Sequence, residues 1–364
     1  MISKLFAFVL VPFLFGCSAL TLEDSAPETD VTISFAWEYR TGDYVRSIPA
    51  VSGGAVFVGS DDNALHAVDV DTGEARWSYE TGDNVSSSPL ASGDTVYFGS
   101  WDGAVYALET RQGTLRWRYE TGGWVTASPV LAEGILYVGS HDGFFYALAT
   151  EDGQPLWRYE TAGRIEAPAS MAGDTVFFGS TDNYLYALDA QSGELQWRYR
   201  TGGDIVAAPR VSGETVFVGS VDRKLYALDV ATGRLRWFFE AELAIESSPV
   251  IARDRVYFGA NDGRLYALCV ADGRSLWEFQ ATSILRSTPA LWGNLVFVGS
   301  DDGYIYGLNS ETGRLEWSYR TGGAIVAGPA IADGQLYVGS VDRRLHAFRV
   351  DTGQDGAIGA ETCG

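Results

Sequence analysis

Cysteine is scarce in this sequence, whose 364 residues include only Cys17, Cys269 and Cys363. No cysteine belongs to a CxxC, CxxCH or vicinal pair, so the sequence carries no haem-attachment motif. A disulfide between Cys269 and Cys363 stays an open alternative for which the spacing gives no argument. A chain of this length can bury an ample core without a disulfide framework.

Lysine is nearly absent as well, since Lys4 and Lys224 are the only two. The formal net charge is −21 at pH 7. Such an acidic chain is repelled by a phosphate backbone, which argues against a nucleic-acid partner, and its charge favours solubility. We interpret the acidity as a well-solvated surface, with a saline habitat as the alternative.

A sustained helical period is also missing after the N-terminal segment, which excludes an α-solenoid. Tryptophan recurs instead at intervals of 40 residues, at Trp37, Trp77, Trp117, Trp157, Trp197, Trp237, Trp277 and Trp317. A repeat period near this length is typical of a propeller or a solenoid, in which one supersecondary unit is copied along the chain.

Other landmarks keep the same interval. A Gly-Ser pair recurs from Gly59-Ser60 to Gly339-Ser340, with Gly259-Ala260 as the variant, and an aspartate follows each pair two residues later. Four residues after each aspartate comes a ring-bearing side chain: His66, Tyr106, Tyr146, Tyr186, Tyr226, Tyr266, Tyr306 and His346. We interpret the aspartates as turn formers rather than metal ligands, because eight equivalent metal sites would be an odd requirement.

One copy of the repeat, residues 123–162, predicts four short strands. They are Val125–Leu131, Ile135–Val138, Phe144–Leu148 and Leu156–Tyr159, separated by turn signals such as Asp142-Gly143. Four antiparallel strands of this length match one blade of a β-propeller.

The blade count follows from an offset between landmarks. A tryptophan strand at residues 33–40 precedes the first Gly-Ser pair, whereas no tryptophan follows the last pair. The sequence therefore predicts an all-β, eight-bladed propeller in which the N-terminal strand completes the last blade and closes the ring.

The repeated tryptophans have a structural explanation that needs no ligand. An indole buries roughly 150–250 Å², so eight of them would stabilise the packing of neighbouring blades substantially. We therefore interpret the eight tryptophans as blade-docking residues.

The N-terminus predicts export. Residues 1–16 combine a positive start with a short apolar core, as in a secretory signal peptide. Leu14-Phe15-Gly16-Cys17 resembles the bacterial lipobox, which implies an acylated Cys17, with Ser18 implying the outer membrane, facing the periplasm. The predicted domains are the signal peptide (1–16), a flexible tether (17–32), the propeller (33–353) and a C-terminal tail (354–364).

Candidate site residues come from a comparison of the copies. The Ser-x-Asp-Gly turns and the segments that cross to the next blade are expected on one face, where the residues differ from blade to blade. We call this the recognition face, because tyrosine, tryptophan and arginine often anchor protein interfaces; the alternative is ordinary surface freed from repeat constraints. Its members are Tyr44, Arg46, Trp101, Trp124, His141, Arg164, Glu166, Asp204, Arg223, Glu246, Arg286, Asp301 and Arg343.

The segment Tyr186-Ala187-Leu188-Asp189-Ala190-Gln191-Ser192-Gly193-Glu194-Leu195-Gln196-Trp197 resembles the tryptophan-docking motif of the pyrroloquinoline quinone (PQQ)-like repeat family. Near copies extend over residues 33–353, and the resemblance implies eight blades docked by tryptophan. One branch of that family consists of quinoprotein dehydrogenases, which are longer and carry a calcium site and a catalytic aspartate. The other is non-catalytic and includes outer-membrane lipoproteins that bind the β-barrel assembly machinery.

The bare repeats favour the non-catalytic branch. We see no convergent set of carboxylates and amides for calcium and quinone; Asn84, Asp204, Glu166 and Glu246 are scattered candidates. The expected function is thus a lipid-anchored envelope scaffold for protein partners, without catalytic residues, metal or cofactor. A PQQ- and calcium-dependent dehydrogenase and a small-ligand envelope sensor remain the alternatives.

Overall fold

The computed structural model describes residues 31–351, which form eight sheets of four antiparallel strands and contain no helix. This confirms the predicted all-β, eight-bladed propeller. Within this range no helix has the length and hydropathy needed to span a membrane. The signal peptide, Cys17 and the C-terminal tail lie outside the described residues, so those predictions stay predictions.

The innermost strand of every blade has three residues, and neighbouring innermost strands contact one another around the ring axis. For blades 1 to 8 these strands are β2 (Ala50–Ser52), β6 (Leu90–Ser92), β10 (Val130–Ala132), β14 (Ser170–Ala172), β18 (Arg210–Ser212), β22 (Val250–Ala252), β26 (Ala290–Trp292) and β30 (Ala330–Ala332).

The two central strands of each blade are almost wholly buried. The second strands are β3 (Ala55–Ser60), β7 (Thr95–Gly99), β11 (Ile135–Gly139), β15 (Thr175–Gly179), β19 (Thr215–Gly219), β23 (Arg255–Gly259), β27 (Leu295–Gly299) and β31 (Gln335–Ser340). The third strands are β4 (Ala64–Asp69), β8 (Ala104–Glu109), β12 (Phe144–Ala149), β16 (Tyr184–Asp189), β20 (Lys224–Asp229), β24 (Arg264–Cys269), β28 (Tyr304–Asn309) and β32 (Arg344–Asp351).

The outer strands carry the repeated tryptophans. They are β5 (Ala75–Glu80), β9 (Leu115–Glu120), β13 (Pro155–Glu160), β17 (Leu195–Arg200), β21 (Leu235–Glu240), β25 (Ser275–Gln280), β29 (Leu315–Arg320) and, for blade 8, β1 (Thr32–Arg40). The strand β1 pairs antiparallel with β32 from Thr32 opposite Asp351 to Arg40 opposite Arg344, with a bulge between Phe35 and Trp37. The N-terminal strand therefore closes the ring, as the offset of landmarks predicts.

One strand prediction is wrong. The sequence predicts an innermost strand at 125–131 of the repeat, whereas β10 begins only at Val130. The residues before it cross from one blade to the next, and the Val125 N–H donates to the Ser100 carbonyl of the previous blade instead of to a strand. Pro129 has no N–H to give to a ladder, which helps to delay the start of the strand.

The indole rings lie between neighbouring blades. Seven of the eight donate their Nε1–H to a backbone carbonyl 33 residues further on, in the next blade: Trp37 to Val70, Trp77 to Thr110, Trp117 to Thr150, Trp157 to Ala190, Trp197 to Val230, Trp237 to Val270 and Trp277 to Ser310. The eighth, Trp317, packs edge-on against Phe348 of blade 8 at 5.3 Å between ring centroids.

Candidate functional site

The recognition face is built by the crossing segments and the turns between second and third strands. In the segment that leaves β1, the Val45 N–H donates to Ser340 O of blade 8, while Tyr44 O accepts from the Asp61 N–H of blade 1. The equivalent pair of bonds recurs around the ring, for example from Val125 to Ser100 and from His141 to Trp124. Each crossing is therefore held between the turns of two consecutive blades, which brings the predicted face residues together.

Two repeat positions fifteen residues apart recur in every blade. We call them the mouth position, occupied by Arg46, Ser86, Thr126, Glu166, Val206, Glu246, Arg286 and Val326, and the turn position, fifteen residues later, occupied by Asp61, Trp101, His141, Thr181, Val221, Asn261, Asp301 and Val341. In five blades the two side chains bond directly: Arg46 to Asp61 at 3.0 Å, Ser86 to Trp101 at 2.7 Å, Thr126 to His141 at 2.9 Å, Glu246 to Asn261 at 2.8 Å, and Arg286 to Asp301.

The mouth residues of blades 4 to 8 surround an open cavity of about 470 Å³ at the ring axis. Its lining residues are Glu166, Asp204, Val206, Val221, Glu246, Arg286 and Val326. Of the three carboxylates, Glu166 is paired with Arg164, and the single guanidinium of Arg286 is paired with Asp301, which leaves Asp204 and Glu246 without a paired cation among residues 31–351. The cavity therefore has a negative lining interrupted by valines.

Blades 2 and 3 present an aromatic cluster on this face. Trp101 stacks on Trp124 at 4.6 Å between ring centroids with 15° between the ring planes, and His141 lies 5.5 Å from Trp124 on a tilted ring. Trp124 is 46% exposed. Trp101 is fixed by its hydrogen bond to Ser86 and His141 by Thr126, so the exposed indole rests on two anchored rings. Rigid aromatic surface of this kind loses little side-chain entropy when a partner binds.

The imidazole of His141 belongs to a small charged group. Burial lowers the pKa of His141, Glu166 raises it and Arg164 lowers it, with a lowered pKa as the result. Glu166 lies 3.9 Å from the His141 Nε2 and 3.2 Å from the Arg164 Nε. The cluster therefore presents a neutral imidazole at neutral pH beside an ion pair.

A second group surrounds Tyr44. The guanidinium carbons of Arg46 and Arg343 lie 5.2 and 6.0 Å from its ring centroid. Arg46 pairs with Asp61, whose side chain is only 6% exposed. Burial raises the pKa of Asp61, although Arg46 opposes the shift.

The predicted face arginines are neutralised within the chain. Arg164 pairs with Glu166, Arg223 with Glu240, Arg286 with Asp301, Arg343 with Asp43 and Arg46 with Asp61. These pairs reduce the value of the arginines as anchors for an acidic partner. The part of the face that remains exposed and available to a partner is the aromatic cluster.

Several face residues are missing from the sequence interpretation. Ser86, Thr126 and Asn261 hold Trp101, His141 and Glu246. The signal that could have found them is the fifteen-residue spacing between complementary polar side chains. Separately, Cys269 is disulfide-bonded, whereas Cys363 and Cys17 lie outside the described residues.

The residues at the cavity do not fit the quinone cofactor that the family resemblance implies for its catalytic branch. PQQ is a polyanion, and Asp204 and Glu246 would repel it while Arg286 is already paired with Asp301. Among residues 31–351 no three His, Cys, Asp or Glu side chains converge closely enough to hold a metal ion.

Comparison with known proteins gives a family and a fold. The family model described as outer membrane protein assembly factor BamB matches residues 31–120, 82–167, 161–284 and 271–355. No curated protein sequence matches the chain.

Three solved structures have a fold similar to that of this chain. BamB from Moraxella catarrhalis is 22% identical with a TM-score of 0.77, covering 87% of this chain and 100% of that chain. The computationally designed Ika8 protein is 18% identical with a TM-score of 0.79, covering 87% and 99%. The quinohemoprotein alcohol dehydrogenase from Comamonas testosteroni is 16% identical with a TM-score of 0.75, covering 90% and 78%. At these identities the structural likeness shows the fold alone.

Proposed function

The chain belongs to the family described as outer membrane protein assembly factor BamB, and we propose that it is a non-enzymatic scaffold that binds envelope proteins through its recognition face. The observation that carries the proposal is the aromatic cluster, in which half-exposed Trp124 rests on anchored Trp101 and His141. Exposed aromatic residues held rigidly by neighbours are typical of the energetic centre of an interface.

The chemistry of the partner follows from the groups of the face that are not already paired within the chain. Because the arginines are paired internally, the partner gains most by burying the Trp124 indole and by exchanging hydrogen bonds around it. Blades 4 to 8 add a negatively lined cavity, which favours basic over acidic side chains at the ring axis. We therefore expect a protein segment that places an apolar residue on Trp124.

The family description supports outer-membrane protein assembly as the process, and we propose the β-barrel assembly machinery as the partner. The lipobox-like Leu14-Phe15-Gly16-Cys17 supports an acyl anchor at Cys17. We propose that residues 17–32 tether the propeller to the outer membrane, in the periplasm. Mass spectrometry of the mature N-terminus tests the anchor, because an unmodified Cys17 or a cut elsewhere would contradict it.

The function is tested by affinity capture from envelope extracts. The full-length acylated protein should recover a β-barrel assembly complex, and the Trp124→Ala, Arg164→Ala double variant should recover much less at an unchanged melting temperature. The matched control is Phe238→Ala, since Phe238 is 49% exposed but lies on the outer strand β21, away from the face. Equal capture by all three proteins would reject the assignment of the face.

The dehydrogenase alternative has a separate test. Reconstitution with PQQ and calcium, followed by dye reduction with alcohols or sugars, should give no turnover because the cavity lining repels an anionic quinone. Quinone-dependent turnover would replace the scaffold proposal. A small-ligand sensor would be favoured if envelope metabolites, but no proteins, raised the melting temperature.

A further inference from the structure

The residue at the end of the third strand closes the following turn in four blades. A side-chain oxygen at this position accepts hydrogen bonds from both the N–H and the hydroxyl of the residue three positions later: Asp69 from Thr72, Asp189 from Ser192, Asp229 from Thr232 and Asn309 from Thr312. Such a bond stabilises a tight turn. Blade 6 has Cys269 at the same position and therefore departs from the repeat.

The turn of blade 6 does not depend on the Cys269 side chain. The Arg274 N–H donates to the Asp272 carboxylate over 3.1 Å instead. Blade 3 closes its turn in the same way, through Asp152, and has Ala149 where blade 6 has Cys269. Because alanine serves at this position in blade 3, the turn gives no reason for a thiol in blade 6.

Cys269 is disulfide-bonded and buried, with 4% of the residue exposed. The sequence contains two other cysteines, Cys17 and Cys363, and both lie outside the described residues. A thiol that is so enclosed offers little surface to a second copy of the chain, so its partner is one of these two cysteines.

The chemistry of the two candidates separates them. An anchor carried by the Cys17 sulfur, as proposed above, occupies the atom that a disulfide needs. We propose that Cys269 and Cys363 form a disulfide, called here the staple, which ties the C-terminal tail to blade 6. The choice of Cys363 rests on the proposed anchor at Cys17.

The chain beyond β32 is long enough to form the staple. The strand β32 ends at Asp351, opposite Thr32 of β1, and residues 352–363 can span up to roughly 40 Å when extended. Cys269 lies at the corresponding end of β24, two blades away. Neighbouring packed sheets are about 10 Å apart, so the gap is roughly 20 Å and the tail can pass blade 7 to reach blade 6.

The charges beside Cys269 are compatible with the tail. Cys269 pairs across the sheet with Arg255, and its N–H donates to the Arg274 carbonyl over 2.9 Å. The two turns at this end of blade 6 carry Arg253, Arg255 and Arg274 against Asp254 and Asp272. Residues 352–364 contain Asp355 and Glu361 but no lysine or arginine. On a chain that is acidic overall, this local excess of positive charge attracts the tail.

Formation of the staple is a two-electron oxidation that secures the seam of the ring. The two thiols give up two protons and two electrons to a disulfide-bearing oxidant, which becomes a dithiol, and one S–S bond forms. Such bonds persist in oxidising compartments outside the cytosol, where the proposed export places the chain. The staple closes a covalent loop around blades 7 and 8, and it holds β32, the strand on which β1 pairs, to blade 6.

The stability of the seam gives a second test. Cys363→Ser should lower the melting temperature by roughly 5–10 °C, because it frees a loop of about a hundred residues in the unfolded chain, and dithiothreitol should lower the wild type equally. Cys269→Ala, which puts the residue of blade 3 at this position, should lose as much, and the double variant no more. Losses that add in the double variant, or a wild type that is insensitive to dithiothreitol, would overturn the role of the staple at the seam.

The bond itself is tested by peptide mapping without reductant. The full-length acylated protein is purified from envelopes, blocked with N-ethylmaleimide and digested with trypsin, which cuts after Arg264, Arg274 and Arg349. We expect peptide 265–274 joined to peptide 350–364, with the two separating on reduction. Maleimide on Cys269, or Cys269 joined to Cys17 or to a second copy of peptide 265–274, would overturn the proposal.

The same map separates the staple from the anchor on which its assignment rests. Acylated Cys17 together with maleimide-labelled Cys269 overturns the staple and leaves the anchor intact. Joined Cys269 and Cys363 together with an unmodified Cys17 supports the staple and contradicts the anchor alone.

Discussion

Trp157 and Ala190 join two blades through one hydrogen bond, in which the indole Nε1–H donates to the alanine carbonyl over 3.0 Å. The Tyr137 hydroxyl donates to the same carbonyl, also over 3.0 Å. The Trp157 ring covers Gly193, where an added Cβ would lie 2.7 Å from ring atoms. Indole, carbonyl and glycine therefore form one docking unit, which the repeat copies around the ring.

Gly193→Ala should destabilise the propeller through this unit. The substitution adds a methyl group against Trp157 and places alanine at a φ of +73°. We expect a loss of about 2–5 kcal/mol, from overpacking and from the left-handed backbone together, measured by thermal or denaturant unfolding.

Gly173→Ala is the control for that substitution. Its φ is +54°, but nothing lies within 4 Å of the added Cβ, so only the backbone contribution of about 1–2 kcal/mol remains. Equal losses in the two variants would mean that the indole does not pack on the glycine as described.

Asp142→Ala should weaken the turn of blade 3. The Asp142 Oδ2 accepts from the Gly122 N–H and the Tyr146 hydroxyl, and the Oδ1 accepts from the Phe144 N–H. Removing the carboxylate leaves the partly buried Phe144 N–H and Tyr146 hydroxyl without this partner, at about 1–3 kcal/mol. Tyr146→Phe removes a single donor and should cost less. Chemical denaturation should therefore show a larger loss of unfolding free energy for Asp142→Ala than for Tyr146→Phe. The reverse order would contradict the central role of the aspartate.

Arg46→Met should destabilise the protein more at pH 7 than at pH 4. The variant leaves Asp61 buried without its cation, at about 1–3 kcal/mol. Because the pKa of Asp61 is already raised, its folded form binds protons more readily than its unfolded form, and this contribution to stability is present at low pH and lost as pH rises through the folded pKa. Melting temperatures at the two pH values test this, since protonation at pH 4 should relieve most of the loss.

Arg164→Met is the matched control for Arg46→Met. Its partner Glu166 lies nearer to solvent, and the ion pair is partly exposed, so its removal should cost no more than about 1 kcal/mol. A pH-independent loss in Arg46→Met, or an equal loss in both variants, would show that burial of Asp61 does not govern the effect.

The sequence predicts the fold well because the spacing of the repeated residues indicates how many blades there are and how the ring closes. Trp37 occurs before any Gly-Ser pair, and that offset alone indicates that β1 pairs with the last blade. The innermost strand is mispredicted at 125–129 because extended residues that cross between blades have the same composition as a strand. Their hydrogen bonds go to turns of two blades, which a single copy of the repeat does not reveal.

The face residues are only partly predictable. Blade-to-blade variation points to Trp101 and Trp124, but their stacking joins residues from a turn and from a crossing, and it depends on the contact between the two segments. Arg46 and Arg286 look like free anchors in the sequence, whereas the structure pairs them with Asp61 and Asp301. Pairing between residues fifteen positions apart depends on the fold, so residue type alone overestimates how well the arginines can anchor a partner.

The most direct measurement is site-specific photocrosslinking in intact envelopes, with a photoreactive phenylalanine analogue at position 124 or at position 238. The two native side chains are similarly exposed, at 46% and 49%, but only Trp124 lies on the recognition face. We predict discrete protein adducts from position 124 and none from position 238. The absence of adducts at position 124, or the same adducts from both positions, would contradict a scaffold that binds through this face.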